Sequence, residues 1–523
     1  MRKTPFTRKI TCILSLLAGS WLLGSAAAMG DAAELAERFD DPPPEARPLT
    51  WWHWMNGNVS REGITADLEW MAEQGIGGVH VFETNQTPAE GPAVYRSPEW
   101  EALMRFAMDE CARLGLEFGV HNCSGWSMAG GPWVDPEESM KELTFAETTV
   151  EGPGRIDAQI ARSAAPEIHP FSRENVINRR AEDFGYERTN YEPYYEDVAV
   201  LAFPKKNPGL SMRERKPEIE ATAVAEIGAP DALFDGDLSS GIFFDHAELR
   251  ETKRLSVTFS FDEPFEAQSF QAATAGPGVP FIRWGTEVVL EAKTPSGTFE
   301  ELGRARFTHN GILRTYASFN FPETRSTEYR VVVEFPKNAG FAPHFDIGLT
   351  ELRLSPDPRI ENWPEKAFRF REKTGSIAVE AIGASPMDAA AIPRDEVIDL
   401  TDKLRPDGTL DWEVPPGDWT VLRIGMVSTG KMNQPATVGG VGLEVDKMDP
   451  AILERFLDEG SVGQLIEAGG EHVGETFDFL STDSWEVGTQ NWSRGFAAEF
   501  ERRRGYPIMP WMPALEGRIV DSV

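Results

Sequence analysis

An α/β chain, a partial (β/α)8 barrel interrupted by inserted β-sandwich modules, is the fold class that the sequence predicts. Three observations carry it. Strand-like and helix-like segments alternate with short links up to about residue 148 and again after about 440, the pattern of parallel strands covered by helices. Between these stretches, period-two alternation and frequent turns dominate. Each short buried strand of the alternating parts runs into polar and aromatic residues, and in parallel sheets ligands meet the C-terminal strand ends.

Taken in order, Asp41-Pro42-Pro43-Pro44 reads as a linker and Leu49 to Trp54 as the first strand, ending in the polar turn His53 to Asn58. Ser60 can cap a helix with Ile64, Leu68 and Met71 on one face, closed by Gly75. Gly77 to Phe82 is the second strand. Ser97-Pro98-Glu99 starts a helix whose apolar face is Trp100, Leu103, Met104, Ala107, Cys111 and Leu114. Gly115 ends that helix, and Leu116 to Val120 is the third strand.

Character changes near Thr148. Leu255, Val257, Phe259 and Phe261 alternate with polar residues, as do Tyr329, Val331, Val333 and Phe335, while Val288, Leu290 and Ala292 lead into a turn at Pro295-Ser296-Gly297. The stretch 219–356, with Leu233-Phe234-Asp235-Gly236-Asp237, resembles a galactose-binding-like jelly roll. Asp449-Pro450 then caps a helix containing Ile452, Phe456, Leu457 and Leu465. Phe477 to Ser481 is the fourth strand, and a helix with Phe496 and Phe500 ends at Gly505. The expected division is a signal peptide at 1–28, a first barrel segment at 29–148, a β-rich insertion at 149–218, the β-sandwich at 219–356, a small β-segment at 357–440 and a barrel continuation at 441–523. Strands near 50, 79, 118 and 479 are half of what a closed barrel needs. They alone would leave an open apolar edge, so the barrel is expected to be incomplete in this chain.

Lys and Arg number 51 against 84 Asp and Glu, a net charge of −33. That balance argues against nucleic acid as a partner, because phosphate contacts need clustered cations. Arg2, Lys3, Arg8 and Lys9, the apolar run Ile10 to Leu23, and Ser25-Ala26-Ala27-Ala28 read as a secretory signal peptide. Export to the periplasm or the outside of the cell is expected. No later stretch could cross a bilayer, so no membrane anchor is expected. Cys12 lies in the signal segment. Cys111 and Cys123 read as buried small hydrophobes, with one bridge possible in an oxidising compartment.

Trp51, Trp52, Trp54, Trp126, Trp133, Trp485 and Trp492 load the strand ends with indoles, which either stack on the C–H faces of pyranose rings or fill the core. Glu486 follows a buried strand beside Trp485 and Asp483. A carboxyl group next to an indole is desolvated, which raises its pKa and suits it to protonate a leaving oxygen; the alternative is a solvated loop glutamate. Glycoside hydrolysis needs a second carboxylate. Glu83 is available for that, or for holding a sugar hydroxyl; Asp483 is too near in sequence to be assumed opposite. His53, His121, Asn56 and Asn122 could hydrogen-bond sugar hydroxyls, hold a metal or satisfy tight turns. Their spacing matches no zinc signature, and oxygen donors suit calcium better. There is no P-loop, dinucleotide fingerprint or Gly-x-Ser-x-Gly elbow.

From Trp51-Trp52-His53-Trp54-Met55-Asn56-Gly57-Asn58 onward the chain resembles glycoside hydrolase family 106, the inverting α-L-rhamnosidases. The resemblance continues through Gly63 to Glu69, Gly75 to Val79, Val120 to Ser127, Gly130-Gly131-Pro132-Trp133 and Gly442-Leu443-Glu444-Val445-Asp446-Lys447. It closes at Asp483-Ser484-Trp485-Glu486 and Gln490-Asn491-Trp492. The resemblance implies an interrupted barrel that removes terminal rhamnose from a polysaccharide or glycoside with inversion, with calcium helping to hold the sugar. The general acid maps to Glu486, and the general base is expected beyond Val523. Trp52, His53, Asn56, Glu83, His121, Asn122, Trp126, Asp483 and Trp485 are the expected substrate-binding set, with Glu83 and Asp483 as candidate metal ligands. Two alternatives stay open: a non-catalytic carbohydrate-binding protein, and a retaining β-glycosidase of the same barrel class.

Overall fold

The computed structural model describes residues 37–85, 89–163, 191–206, 212–222, 224–227, 232–234, 241–244, 248, 251–274, 286–306, 315–335, 347–349, 351–361, 363–367, 379–381, 390–433, 435–437, 439–483, 485, 487 and 490–522. The expected signal peptide at 1–28 and the expected acid Glu486 lie outside them.

The first part alternates as expected: β1 (Leu49–Met55), α1 (Arg61–Glu73), β2 (Gly78–Thr84), α2 (Pro98–Leu114) and β3 (Glu117–His121). Ser60 and Ser97 cap the two helices, their Oγ atoms accepting from Gly63 N (3.1 Å) and Trp100 N (3.2 Å). Gly115 closes α2 at φ 70, a left-handed position that costs glycine little. After β4 (Gly130–Gly131) come β5 (Lys141–Gln159) and β6 (Tyr195–Pro204). Strand β5 runs unbroken across residue 148, where the sequence suggested a change of character.

The middle is antiparallel. It holds β7 (Glu218–Ala221), β8 (Val224–Ile227), β9 (Ile242–Phe244), β10 (Arg254–Thr274), β11 (Glu287–Lys293), β12 (Phe299–Arg306), β13 (Thr315–Glu334), β14 (Ile347–Leu349), β15 (Glu351–Ser355) and β16 (Val379–Ala381). The order β15-β10-β13-β11-β12-β16, with β7 on β10, makes a seven-stranded sheet, and β14-β9-β8 makes a three-stranded one. Leu255, Val257, Phe259, Val288, Leu290, Tyr329, Val331 and Val333 share one buried cluster with Ile242 and Leu349, so the alternation read from the sequence is the inward face. A further sheet, β17-β6-β18-β5, is built from β17 (Ile398–Asp399) and β18 (Thr409–Ser428) with β5 and β6.

The chain then returns through β19 (Leu443–Glu444), which pairs with β4, to α3 (Pro450–Asp458), α4 (Ser461–Gly469), β20 (Phe477–Ser481) and α5 (Phe496–Arg504). The sequence suggested one helix spanning Ile452 to Leu465. Two form instead, because the backbone leaves the helical region at Gly460 (φ −86, ψ −126), where a Cβ would sit 2.7 Å from the Phe456 carbonyl oxygen so that only glycine fits; Leu457 is left exposed. Strand β20 joins the first three as a parallel sheet, β1-β2-β3-β20, with Ser481 opposite His121. Helices α1 and α2 cover one face through Trp52, Trp54, Ile64, Leu68, Val79, Val81, Trp100 and Phe118.

Candidate functional site

Side-chain parity divides the predicted site residues between the two faces of the parallel sheet. Trp52 and Trp54 of β1 point into the helical layer, and the Trp52 Nε1 donates to Asp67 Oδ2 of α1 at 3.0 Å. Trp52 is therefore a core residue, contrary to the expected substrate-binding role. Trp51 and His53 lie on the opposite face. There the His53 ring meets Phe82 at 5.7 Å, Trp51 at 5.8 Å and Trp126 at 6.4 Å, while Phe82 stacks on His121 at 4.7 Å. His53 and Phe82 are register partners across β1 and β2, so these rings form one aromatic shelf at the C-terminal strand ends. Trp51 is 56% exposed and Trp485 45%, whereas Trp54 and Trp492 are buried.

His121 joins β3 to the segment after β20. Its Nε2 accepts from the Asp483 N–H at 3.1 Å, so the proton sits on Nδ1, which donates to the Cys123 carbonyl at 2.7 Å. Burial lowers the pKa of both His121 and His53, and the Asp483 carboxylate pulls each back upward. With both nitrogens engaged, His121 acts on the site by holding Asp483 rather than by reaching a ligand. The Asn122 N–H donates to Ser481 O at 3.0 Å, fixing the same junction. Asn122 Oδ1 and Trp126 Nε1 are buried without a partner among the described residues.

Glu83 departs from expectation. It lies on the helix-facing side, where its oxygens accept from Trp100 Nε1 (2.9 Å) and Gly57 N (3.3 Å), and burial pushes its pKa up to about 8. Asn56 likewise serves the turn, at φ 49, with its N–H on Thr84 O and its carbonyl taken by Gly91 N. A carboxyl kept neutral with both oxygens already bonded is unsuited to ligate calcium. Among the described residues no group of three or more His, Cys, Asp or Glu is gathered to hold a metal ion. Of the two candidate ligands, Glu83 does not fit the calcium that the resemblance implies.

Sequence reasoning gave no role to the return segment around β19. Asp446, fully buried, accepts from Lys141 Nζ (3.2 Å), Gln490 Nε2 (2.5 Å), Ser493 Oγ (2.8 Å) and Met448 N (2.9 Å). Lys447 Nζ donates to the buried Glu444 Oε2 at 2.5 Å and lies 5.0 Å from the Trp485 ring centre. The available signal was Glu444, Asp446 and Lys447 packed into an otherwise apolar, glycine-bounded stretch.

With this geometry in view, residues 40–523 match the family model of glycoside hydrolase family 106, described as alpha-L-rhamnosidase. The chain belongs to that family. A solved rhamnosidase from Novosphingobium sp. PP1Y is 31% identical with a TM-score of 0.72, over 93% of this chain and 43% of that one. A Formosa agariphila protein named "Putative beta-glucuronidase" is 28% identical over 492 residues, 94% of this chain and 27% of its own length. The family 106 chain described here thus spans less than half of either relative.

Proposed function

We propose that this chain carries the acid side of an exported glycoside hydrolase that releases terminal α-L-rhamnose with inversion. The observation that supports the reading best is the convergence of His53, Phe82, His121, Trp126 and Asp483 on the face of the parallel sheet away from α1 and α2, at its C-terminal ends. In this reading the four strands belong to a (β/α)8 barrel, the antiparallel sheets are jelly-roll insertions, and the N-terminal segment is a signal peptide.

The chemistry follows from these groups. Rhamnose is a 6-deoxy sugar with an apolar methyl and C–H face, which suits the exposed Trp51 and the half-buried Trp126, with the buried Phe82 backing Trp51 at 5.0 Å. Neutral His53 offers a hydrogen bond to a hydroxyl. Glu486, beside Trp485 and Asp483 in sequence, gives its proton to the leaving oxygen while water attacks from the opposite face. We assign no residue of this chain as the base. A glucuronide, suggested by the Formosa relative's printed name, would want a cation for its carboxylate. Among the described residues, Lys447 and Lys141 are engaged with the buried carboxylates Glu444 and Asp446.

The test is sugar release by the full protein from rhamnosylated and glucuronylated polysaccharide, with the product anomer followed by NMR. Rhamnose of inverted configuration is expected. Glucuronate, or net retention, would overturn the reading. Glu486→Gln should lower turnover of poor leaving groups about a hundredfold or more and that of activated aryl rhamnosides much less. Equal loss on both would reject the acid role.

A further inference from the structure

The β-modules separate β4 from β19 by more than three hundred residues of chain, yet β19 pairs with β4 and delivers Glu444 and Lys447 beside the loop that carries Trp485. Glu444 is 0% exposed and the Lys447 side chain 7%. The three ammonium protons of Lys447 have three acceptors: Glu444 Oε2 at 2.5 Å, Val445 O at 3.4 Å and Met140 Sδ at 3.5 Å. None is left for a substrate hydroxyl. What faces the ammonium otherwise is the Trp485 indole, 5.0 Å away. The main chain of Lys447 reaches the same loop further on, its N–H donating to Gln490 Oε1 at 3.1 Å, and Gln490 Nε2 donates in turn to Asp446.

The geometry points to Lys447 as a positioning residue: an ammonium fixed by a buried carboxylate holds the exposed Trp485 indole in one orientation and so sets how tightly the sugar ring is gripped. This rests on the rhamnosidase reading only for the identity of the sugar. The ion pair adds a support brought from a distant part of the chain. Lys447 acts through the π face, so arginine, whose delocalised cation likewise binds an indole face, can replace it where methionine cannot.

Two measurements test this. In the 523-residue chain, acrylamide quenching of the emission lost in Trp485→Phe reports the freedom of that indole. Lys447→Met and Glu444→Gln should each raise it, and Lys447→Arg should leave it near the starting value. In the full protein, Lys447→Met should raise KM for a rhamnoside about two- to fivefold, the size of a cation–π contact to a part-exposed indole, with kcat little changed and Lys447→Arg recovering most of the loss. Unchanged quenching and KM alongside a lowered melting temperature would overturn the proposal, leaving Lys447 a purely structural residue. Equal defects in the Met and Arg variants would also overturn it. Should Lys447→Met not fold, Glu444→Gln and Lys447→Arg decide by the same readouts. If the full protein releases no rhamnose, the rhamnosidase reading fails while the quenching comparison still settles the contact.

Discussion

Glu83 shows how little a residue type says without its partners. A glutamate at the end of a buried strand, next to a site, reads as a catalytic or ligand carboxylate. Its oxygens are instead bonded to Trp100 and Gly57 on the helix-facing side. Its pKa is raised from an ordinary 4.5 to about 8, so the folded chain keeps a proton that the unfolded chain releases. The consequence has a definite sign. Between about pH 4.5 and 8 the unfolded state binds fewer protons, so this residue makes folding less favourable as pH rises, and its effect levels off above 8. Unfolding midpoints in urea at pH 5, 6.5 and 8 should therefore fall for the wild type relative to Glu83→Gln, whose side chain does not titrate. Parallel midpoints for the two proteins would show that Glu83 is ionised in the fold.

At the scale of elements, helices and antiparallel strands were legible because their signals are local. Ser97-Pro98 with Gly115 bounds α2, and the alternation of Leu255, Val257 and Phe259 marks the inward face of β10. The faces of β1 were not legible. A parallel strand is apolar on both sides, so Trp51 and Trp52 look alike until the helices choose one. Nor was the β4–β19 pairing, which joins residues three hundred apart. That pairing rests on a close approach: a Cβ at Gly442 would lie 1.9 Å from the Gly131 carbonyl carbon, while Asn433 binds the Gly442 N–H at 2.9 Å and donates its own N–H to the Gly442 carbonyl at 3.1 Å. Gly442→Ala should push β19 off β4 and lower stability by about 1–3 kcal/mol, the usual penalty of overpacking. Gly154→Ala in β5, where a Cβ meets nothing within 4 Å, should change it by less than about 0.5 kcal/mol. Chemical unfolding of the two variants checks both, and similar costs at both sites would refute the close-approach argument.

For the molecule as a whole, the sheets are tied together by charge as well as by apolar packing. Glu147 of β5 accepts from Arg353 of β15 at 3.2 Å and from Arg518 near the C-terminus at 2.5 Å. Arg353 also meets Glu516 at 2.8 Å, Arg518 meets Asp357 at 3.4 Å, and Arg359 donates to the Glu516 carbonyl at 2.9 Å. Three arginines and three carboxylates thus join the seven-stranded sheet, the sheet of β5 and the segment Met509–Glu516. The surrounding guanidinium groups hold Glu147 well below the usual carboxylate range against the opposing effect of burial, while burial first, and then the nearby Arg518 and Arg353 charges, lower Arg359 to about 9. Removing one acid leaves the arginines to repel one another with little water to screen them, so Glu147→Gln should cost about 2–4 kcal/mol. Because the folded pKa of Glu147 is depressed, its stabilising effect is complete above the unfolded carboxyl range near 4.5 and is lost as pH falls below it. The wild type should therefore lose part of its advantage over Glu147→Gln on acidification from pH 6 to 3.5, the remainder going only at still lower pH. A melting-temperature gap between the two that is independent of pH would mean that shape, not charge, joins these sheets.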